Sequence, residues 1–292
     1  MFAIIGILLV FGAVLSGFLL EKGPILVLLQ PSELLIIGGA ALGTLIAANP
    51  MHVLKKIVSS MVQVLKGSSY SKELYLESLK MMLLLFNKAR KGGLIELESD
   101  IEEPEKSPVL SKFPKFLNNH HARAFVCDTM RMAITGGASP FDLDQMMELD
   151  MEVHHASASQ PANALATMAD ALPGMGIVAA VLGVVITMSA LGGPPEEIGR
   201  KVAAALVGTF LGILLCYGVV GPLAAALTKL IDEEQSYYHV LRVVMLSYLK
   251  GMPPTLAVEV ARRAVPEHVR PSFQELDKAC RQRETVAEPT AA

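Results

Sequence analysis

Residues 171–195 and 202–228 contain no Asp, Glu, Lys or Arg over 25 and 27 consecutive positions. At 1.5 Å per helical residue, ~20 apolar residues cross the ~30 Å hydrocarbon core of a bilayer, so each run is long enough to span. Two further uncharged blocks lie near the N-terminus. Phe2–Leu20 covers 19 positions, and Leu34–Ala48 covers 15 and extends outward through Ile25–Pro31 across the lone Glu33. Four transmembrane helices are therefore predicted. Composition agrees, at 52% hydrophobic and 18% charged residues with a mean hydropathy of +0.46, beyond what a soluble domain of this size carries. Only Met1 precedes the first block, and no A-x-A site closes it, so it reads as a retained helix and not a cleaved signal peptide.

Lys and Arg set the orientation. The segment 49–170 holds thirteen and 229–292 holds nine, against one in 21–33 and two in 194–201. Lys55, Lys56, Lys66 and Lys229 lie close enough to the spans to count, which places both large segments and both termini in the cytoplasm. The expected organisation is transmembrane helices one and two in 1–48 and a cytoplasmic helical domain in 49–170. Helices three and four follow in 171–228, and a cytoplasmic C-terminal helix and tail in 229–292. The fold class is an all-α membrane protein with a large cytoplasmic helical domain between helices two and three.

Within 49–170 the apolar residues Tyr75, Leu79, Met82, Leu83 and Phe86 recur at helical spacing, predicting an amphipathic helix over 71–91 that Gly92-Gly93 stops. A short helix over Ile95–Glu103 ends before Pro104. Residues 104–119 form a connection, and helical patterning resumes near Ala122 and over Phe141–His155. After Lys229 the fourth helix continues, and Glu284–Ala292 reads as a disordered end.

Catalytic chemistry has no foothold here. Gly174-Met175-Gly176-Ile177-Val178-Ala179 matches G-x-G-x-x-A, but that fingerprint needs a strand before it and phosphates at the opening of a helix. No phosphate-binding G-x-x-x-x-G-K-[ST] exists. His120-His121 and His154-His155 are adjacent pairs that diverge by about 100° on a helix, so they read as surface histidines and not a metal site. Cys127, Cys216 and Cys280 are isolated and imply no disulfide. No enzyme activity, cofactor or metal is expected. A net charge of −3, without an aromatic-interleaved basic patch, gives no argument for nucleic acid, and none is expected as a partner.

Helices three and four are rich in Gly and Ala, with Gly208-x-x-x-Gly212 in the fourth and Gly39-x-x-x-Gly43 in the second. Small residues let helices pack closely. The hydroxyls Thr187, Ser189, Thr209, Tyr217 and Thr228 are expected to bond their own backbone. An ion-coupled transporter acting alone would keep an ionisable residue in its spans, at a cost of about 2.5–3.5 kcal/mol. Spans three and four have none and only Glu33 lies near span two, so if protons flow, another polypeptide supplies the titrating group.

Five stretches carry a family resemblance: "QPSELLIIGGAALGT" at 30–44, "KARKGGLIELESDIEEP" at 88–104, "PANALATMADALPGMGIVAAVLGVV" at 161–185, "LVGTFLGILLCYG" at 206–218 with Gly221-Pro222, and "RPSFQELD" at 270–277. With these the chain resembles the MotA family of flagellar motor stator subunits, in the bacterial inner membrane. The resemblance implies an ion channel without cofactor, in which a single-span partner, MotB, supplies the proton-binding Asp. It implies five MotA-like chains around two MotB, with helices three and four lining the inner wall. Pro173 and Pro222 match prolines that couple ion binding to conformational change, and both are expected at similar depth. Arg90 and Glu98 match charges that meet the rotor protein FliG, although helix dipoles alone would favour those signs at those ends. Ala180 stands where sodium-driven members carry Thr. With Thr209 as the one nearby oxygen, this implies proton drive along a path past Ala180 and Thr209. The alternatives are an energiser of outer-membrane transport of the ExbB/TolQ type, a secondary transporter, or a passive scaffold of small-residue helices.

Overall fold

The computed structural model describes residues 2–189 and 192–281. In chain order the helices are α1 (Phe2–Leu20), α2 (Ile25–Leu28), α3 (Pro31–Ala48), α4 (Met51–Lys66), α5 (Lys72–Gly92), α6 (Glu98–Glu102) and α7 (Pro114–Leu117). They continue with α8 (His120–Thr135), α9 (Pro140–Met188), α10 (Pro195–Leu215), α11 (Gly221–Leu249), α12 (Pro254–Ala264) and α13 (Phe273–Arg281). Among the described residues there is no strand. Four apolar stretches are long enough to cross a membrane: Ala3–Leu20, Ile25–Ala48, and parts of the helical runs Pro140–Met188 and Pro195–Leu249.

The chain divides into two compact units. One is apolar and comprises Met1–Gly67 and Ser157–Ile231, while the other, more polar, comprises Ser68–Ala156 and the chain from Asp232 onward. In the apolar unit, α2 breaks off at Leu29 and Pro31 opens α3 at its first position, where the missing N–H costs nothing. α4, not foreseen in the sequence as a separate element, is strongly amphipathic. It buries Val53, Ile57 and Val64 against Leu165, Leu223, Leu227 and Ile231. A second cluster joins Ile37 and Ala41 of α3 to Ala169, Leu172 and Ala179 of α9 and to Cys216.

The polar unit is built on α5. Ser71 caps it by accepting from Leu74 N–H, and its last turn carries Arg90 and Lys91, where the negative end of the helix dipole favours cations. Gly93 at φ +84° ends it, a conformation costly for any residue with a Cβ. Tyr75, Leu79, Met81, Met82, Leu85 and Phe86 are fully buried against Phe116, Phe125, Tyr237, Leu241 and Val244. The expected helix over 95–103 is a 3-10 turn, Leu94–Leu97, followed by α6. Where the sequence suggests a single C-terminal helix and tail, α12 and α13 form as well. α13 is held by a capping box in the "RPSFQELD" stretch. Glu275 Oε2 accepts from Ser272 N–H at 2.7 Å, and Ser272 Oγ accepts from Glu275 N–H at 3.2 Å, so two orphan amides are satisfied reciprocally. Residues 284–292 lie outside the described residues.

Candidate functional site

Spans three and four meet backbone to backbone. A Cβ on Gly176 would stand 2.9 Å from the Gly208 carbonyl oxygen and 3.1 Å from Gly212 Cα. One on Gly183 would stand 2.7 Å from Ala205 Cβ, and one on Gly212 would stand 2.6 Å from the Leu172 carbonyl oxygen. As the α9 number rises from 172 to 183, its α10 partner falls from 212 to 205, so the pair is antiparallel along a glycine seam. Without a hydrophobic effect between lipid-embedded helices, such proximity is what holds them together.

Ala180 and Thr209 fall on this seam. Ala180 N lies 3.2 Å and Ala179 Cβ 3.2 Å from the Cβ position of Gly208, and Thr209 Cα lies 3.3 Å from that of Gly176. The span hydroxyls divide. Thr187 donates to Gly183 O at 2.8 Å, Ser189 to Ile186 O at 2.6 Å and Thr228 to Ala224 O at 3.1 Å, as expected from the sequence. Thr209 and Tyr217 depart from that expectation, since neither makes a hydrogen bond to any described residue. The half-buried Thr209 hydroxyl is therefore free for water or an ion, whereas Tyr217 is 72% exposed.

Glu33 lies at the start of span two, as the sequence places it, but its burial against span four is not foreseen. It is buried in the first turn of α3, and its Oε2 lies 2.6 Å from the Cβ position of Gly208. That oxygen has no hydrogen-bond partner among the described residues. Helix packing explains the placement, because the missing side chain at Gly208 makes room for it. The Gly208-x-x-x-Gly212 spacing signals a close approach, but not which side chain fills it.

Pro173 lies inside α9, and its missing N–H leaves the carbonyl of Ala169 without its helical donor. Pro222 follows a five-residue π stretch, Cys216–Val220, that joins α10 to α11. The π turn accommodates a ring that would otherwise clash with the carbonyl of Gly218. The two prolines are not level, contrary to expectation. Leu172 stands against Gly212, which puts Pro222 ten residues, roughly 15 Å, further along the continuous run.

In the polar unit, charges of the 88–104 stretch divide into two sets. Lys88 Nζ donates to Asp100 Oδ2 at 2.7 Å, and Ser107 Oγ donates to Asp100 Oδ1 at 2.5 Å. Ser107 in turn accepts from Val109 and Leu110 N–H. This buried network pins α6 and the following turn. Arg90 and Glu98 are exposed and form no ion pair among the described residues. His120 and His121 are exposed as expected, but His154 is not a surface histidine. α8 and α11 pack around it, with its ring 4.8 Å from that of His121 and its Nε2 3.5 Å from Glu234 Oε1. Burial raises the Glu234 pKa, but the facing His154, Tyr70 and His121 outweigh it and hold the carboxyl below its ordinary value. Among the described residues no group of His, Cys, Asp and Glu can hold a metal ion.

These features define a class: a multi-pass helical membrane protein with an uncharged, small-residue wall and a separate charged helical unit. Two family models match, motility protein A N-terminal at residues 4–93 and the MotA/TolQ/ExbB proton channel family at residues 117–239. Motility protein A of Salmonella typhimurium is 37% identical over 281 residues, 96% of this chain and 95% of the relative. The Escherichia coli motility protein A gives the same values. Chemotaxis protein LafT of Vibrio parahaemolyticus is 35% identical over 274 residues, covering 94% and 96%. Among solved structures, the Bacillus subtilis flagellar MotAB stator complex superposes with a TM-score of 0.72 at 25% identity, covering 88% of this chain and 92% of that one. C. jejuni MotAB gives 0.77 at 21% identity, covering 93% and 98%, and supports the fold. The chain belongs to the motility protein A family, the flagellar stator subunits of the inner membrane.

Proposed function

We propose that this chain assembles with a MotB-type, single-span partner into a proton-driven stator that turns the rotor through FliG. The observation that carries the reading is the seam itself: spans three and four present Ala180, an unpartnered Thr209 hydroxyl and no residue charged at neutral pH. Such a wall cannot carry the ion alone, so the titrating carboxylate belongs to the partner helix. Cytoplasmic termini fit the charge distribution along the chain, and five copies around two partner helices are what the family resemblance implies.

Proton drive follows from the oxygen count. A dehydrated alkali cation needs several oxygen ligands, and Ala180 offers a methyl group where a hydroxyl would help. A proton needs only the partner's carboxylate and a water path. Each unit charge crossing 100 mV releases ~2.3 kcal/mol, enough to bias one step of a ring but not to unfold a domain. The carbonyl of Ala169, left without its donor at Pro173, and the π stretch before Pro222 make these the places where spans three and four bend. Arg90 and Glu98, unspent on internal pairs, would engage rotor charges at each step, giving register and steering.

The test is motor speed at fixed proton-motive force while external sodium is varied. Constant speed is expected. Rotation that falls on sodium removal and recovers on its return would overturn proton drive.

A further inference from the structure

Arg90 differs from the other arginines of its unit. Arg123, Arg131, Arg242, Arg262 and Arg263 each bond a carboxylate, and Arg270 donates to the Val265 carbonyl. Among arginines with described side chains in the polar unit, Arg90 alone has no hydrogen bond or ion pair. Arg90 also lines a groove of about 460 Å³, within the range of small-ligand pockets, together with Leu94, Tyr248, Leu249, Met252 and Pro253.

The groove is firmly built. Tyr248 stacks on the buried Phe86 at 4.1 Å with an 8° interplanar angle. Gly251, at φ +89°, turns the chain out of α11, and Met252 N–H and Gly251 N–H close the helix end by bonding the Ser247 and Tyr248 carbonyls. Pro253 and Pro254 then open α12. Backbone already fixed by a helix cap and two prolines loses little entropy when a ligand enters. Lys91 and Lys250, which adjoin the lining residues Arg90 and Gly251 in sequence, are exposed and make no ion pair among the described residues, and the nearest acid in sequence, Glu96, is folded over Gly92. Ile95 is 59% exposed beside Leu94.

We propose that this groove is the docking pocket of the rotor contact, and that its occupant is an acidic segment of the rotor protein. A carboxylate of that segment takes the planar fork of Arg90, and an adjacent branched or aromatic side chain enters between Tyr248, Met252 and Pro253. The inference rests on the rotor-facing reading of Arg90 and adds to it a second, apolar determinant contributed by the far end of α11. Charge complementarity fixes the occupant's sign, since the one cation lining this otherwise apolar groove, Arg90, has no partner of its own, and the exposed Lys91 and Lys250 adjoin lining residues in sequence. A guanidinium recognises a carboxylate bidentately, and an apolar anchor beside it supplies the hold that an exposed charge pair lacks.

The experiment uses intact motors in cells. Met252→Cys is paired with single cysteines across the torque-transmitting domain of FliG, using a short thiol cross-linker. Torque is measured for Arg90→Glu, Met252→Lys, Leu94→Lys and the conservative Met252→Leu. Cross-linking from position 252 is expected at a FliG position next to a carboxylate, with the yield falling about tenfold when Arg90→Glu is added. Met252→Lys and Leu94→Lys should lose torque at high load with normal membrane levels and normal co-purification of MotB, while Met252→Leu keeps it. If Arg90→Glu impairs torque but both lysine variants turn normally and position 252 forms no cross-link, the groove is not the docking pocket and the rotor-facing reading stands. Normal torque in Arg90→Glu itself would sink both.

Discussion

The two units of this chain solve the same packing problem with opposite materials. In the apolar unit close approach falls at glycines, main chain against main chain at Gly176 and Gly212, and against the Ala205 and Glu33 side chains at Gly183 and Gly208. Its cluster around spans two to four is made of Ile37, Ala41, Ala169, Leu172, Ala179 and Cys216, with no aromatic ring. In the polar unit the largest buried side chains are Tyr75, Tyr237, Phe86 and Phe116, locked by contacts such as the 2.7 Å hydrogen bond between Ser78 and Tyr237. The solvent explains the difference. Against water, burying an aromatic side chain is favourable by several kcal/mol and large residues win. Against lipid that term vanishes, and helices associate where backbones can approach. Span one shows the limit, with none of its window buried within the chain. Charge follows the same division, with one buried carboxylate in the apolar unit and a network of pairs in the polar one.

Substitutions that exchange the materials should break each unit differently, and the largest effect belongs to the glycine seam. Gly212→Val puts side-chain carbon against the Leu172 carbonyl and Gly176 backbone, where nothing can yield. Loss of swimming and of co-purified MotB is expected. Gly174→Ala, at a position with open space around it, should leave both intact. Equal behaviour of the two variants would show that the seam does not hold the assembly.

Next in size is Asp100. Its side chain is fully buried while that of Lys88 is 31% exposed, so removing the carboxylate strands Ser107 and a partly buried ammonium. Asp100→Ala should cost about 2–3 kcal/mol, below the full figure for a buried pair because Lys88 still reaches water. Faster proteolysis of the polar unit in purified protein, with α9–α10 contacts unchanged, is the outcome to look for. Stability equal to wild type would mean that the network contributes nothing.

These two sites also mark how far the sequence could be read. The spans, the capped α5 and its glycine stop are legible because uncharged length, helical periodicity and Gly93 are local signals. So are Arg90 and Glu98 as exposed ends. What joins distant positions is not. Lys88 looks like Arg90 in a one-dimensional pattern, and only the fold shows that Asp100 consumes one cation and leaves the other free. His154 lost its surface reading to packing by α8 and α11, and the prolines lost their common depth to the register of the glycine seam. Tyr248 and Met252 join the surroundings of Arg90 from about 160 residues away, a distance no motif bridges.

Glu33 sharpens the comparison with a smaller effect. It is the one acid buried among small-residue helices, against Gly208 and without a partner for Oε2. If the proton carrier belongs to MotB, Glu33 acts by shape, and Glu33→Gln preserves that shape. Motility is expected to survive in Glu33→Gln. Complete loss of torque at normal protein levels would move an ion-carrying group into this chain and end the contrast between a neutral wall and a charged polar unit.

The smallest effect lies at the edge of the polar unit, where α13 docks on α5. Lys72 Nζ donates to Glu275 Oε1 at 2.7 Å, with both side chains roughly half exposed. The Lys72 hydrogen bond, followed by those from Ser272, lowers the Glu275 pKa to about 2. A carboxyl depressed in the folded state stabilises above its unfolded pKa, about 4.3, and loses that contribution as pH falls towards 2. Its exposure keeps the contribution small. Cys280, half-buried on α13, reports the docking through its rate of reaction with a pyridyl disulfide, a reagent that works in acid. Wild-type protein should label faster as pH drops from 5 to 3, whereas Glu275→Gln should label at the faster rate throughout. A flat wild-type profile would show that α13 is held by Leu276 and its apolar contacts alone, so that even at its surface the polar unit relies on burial and not on charge.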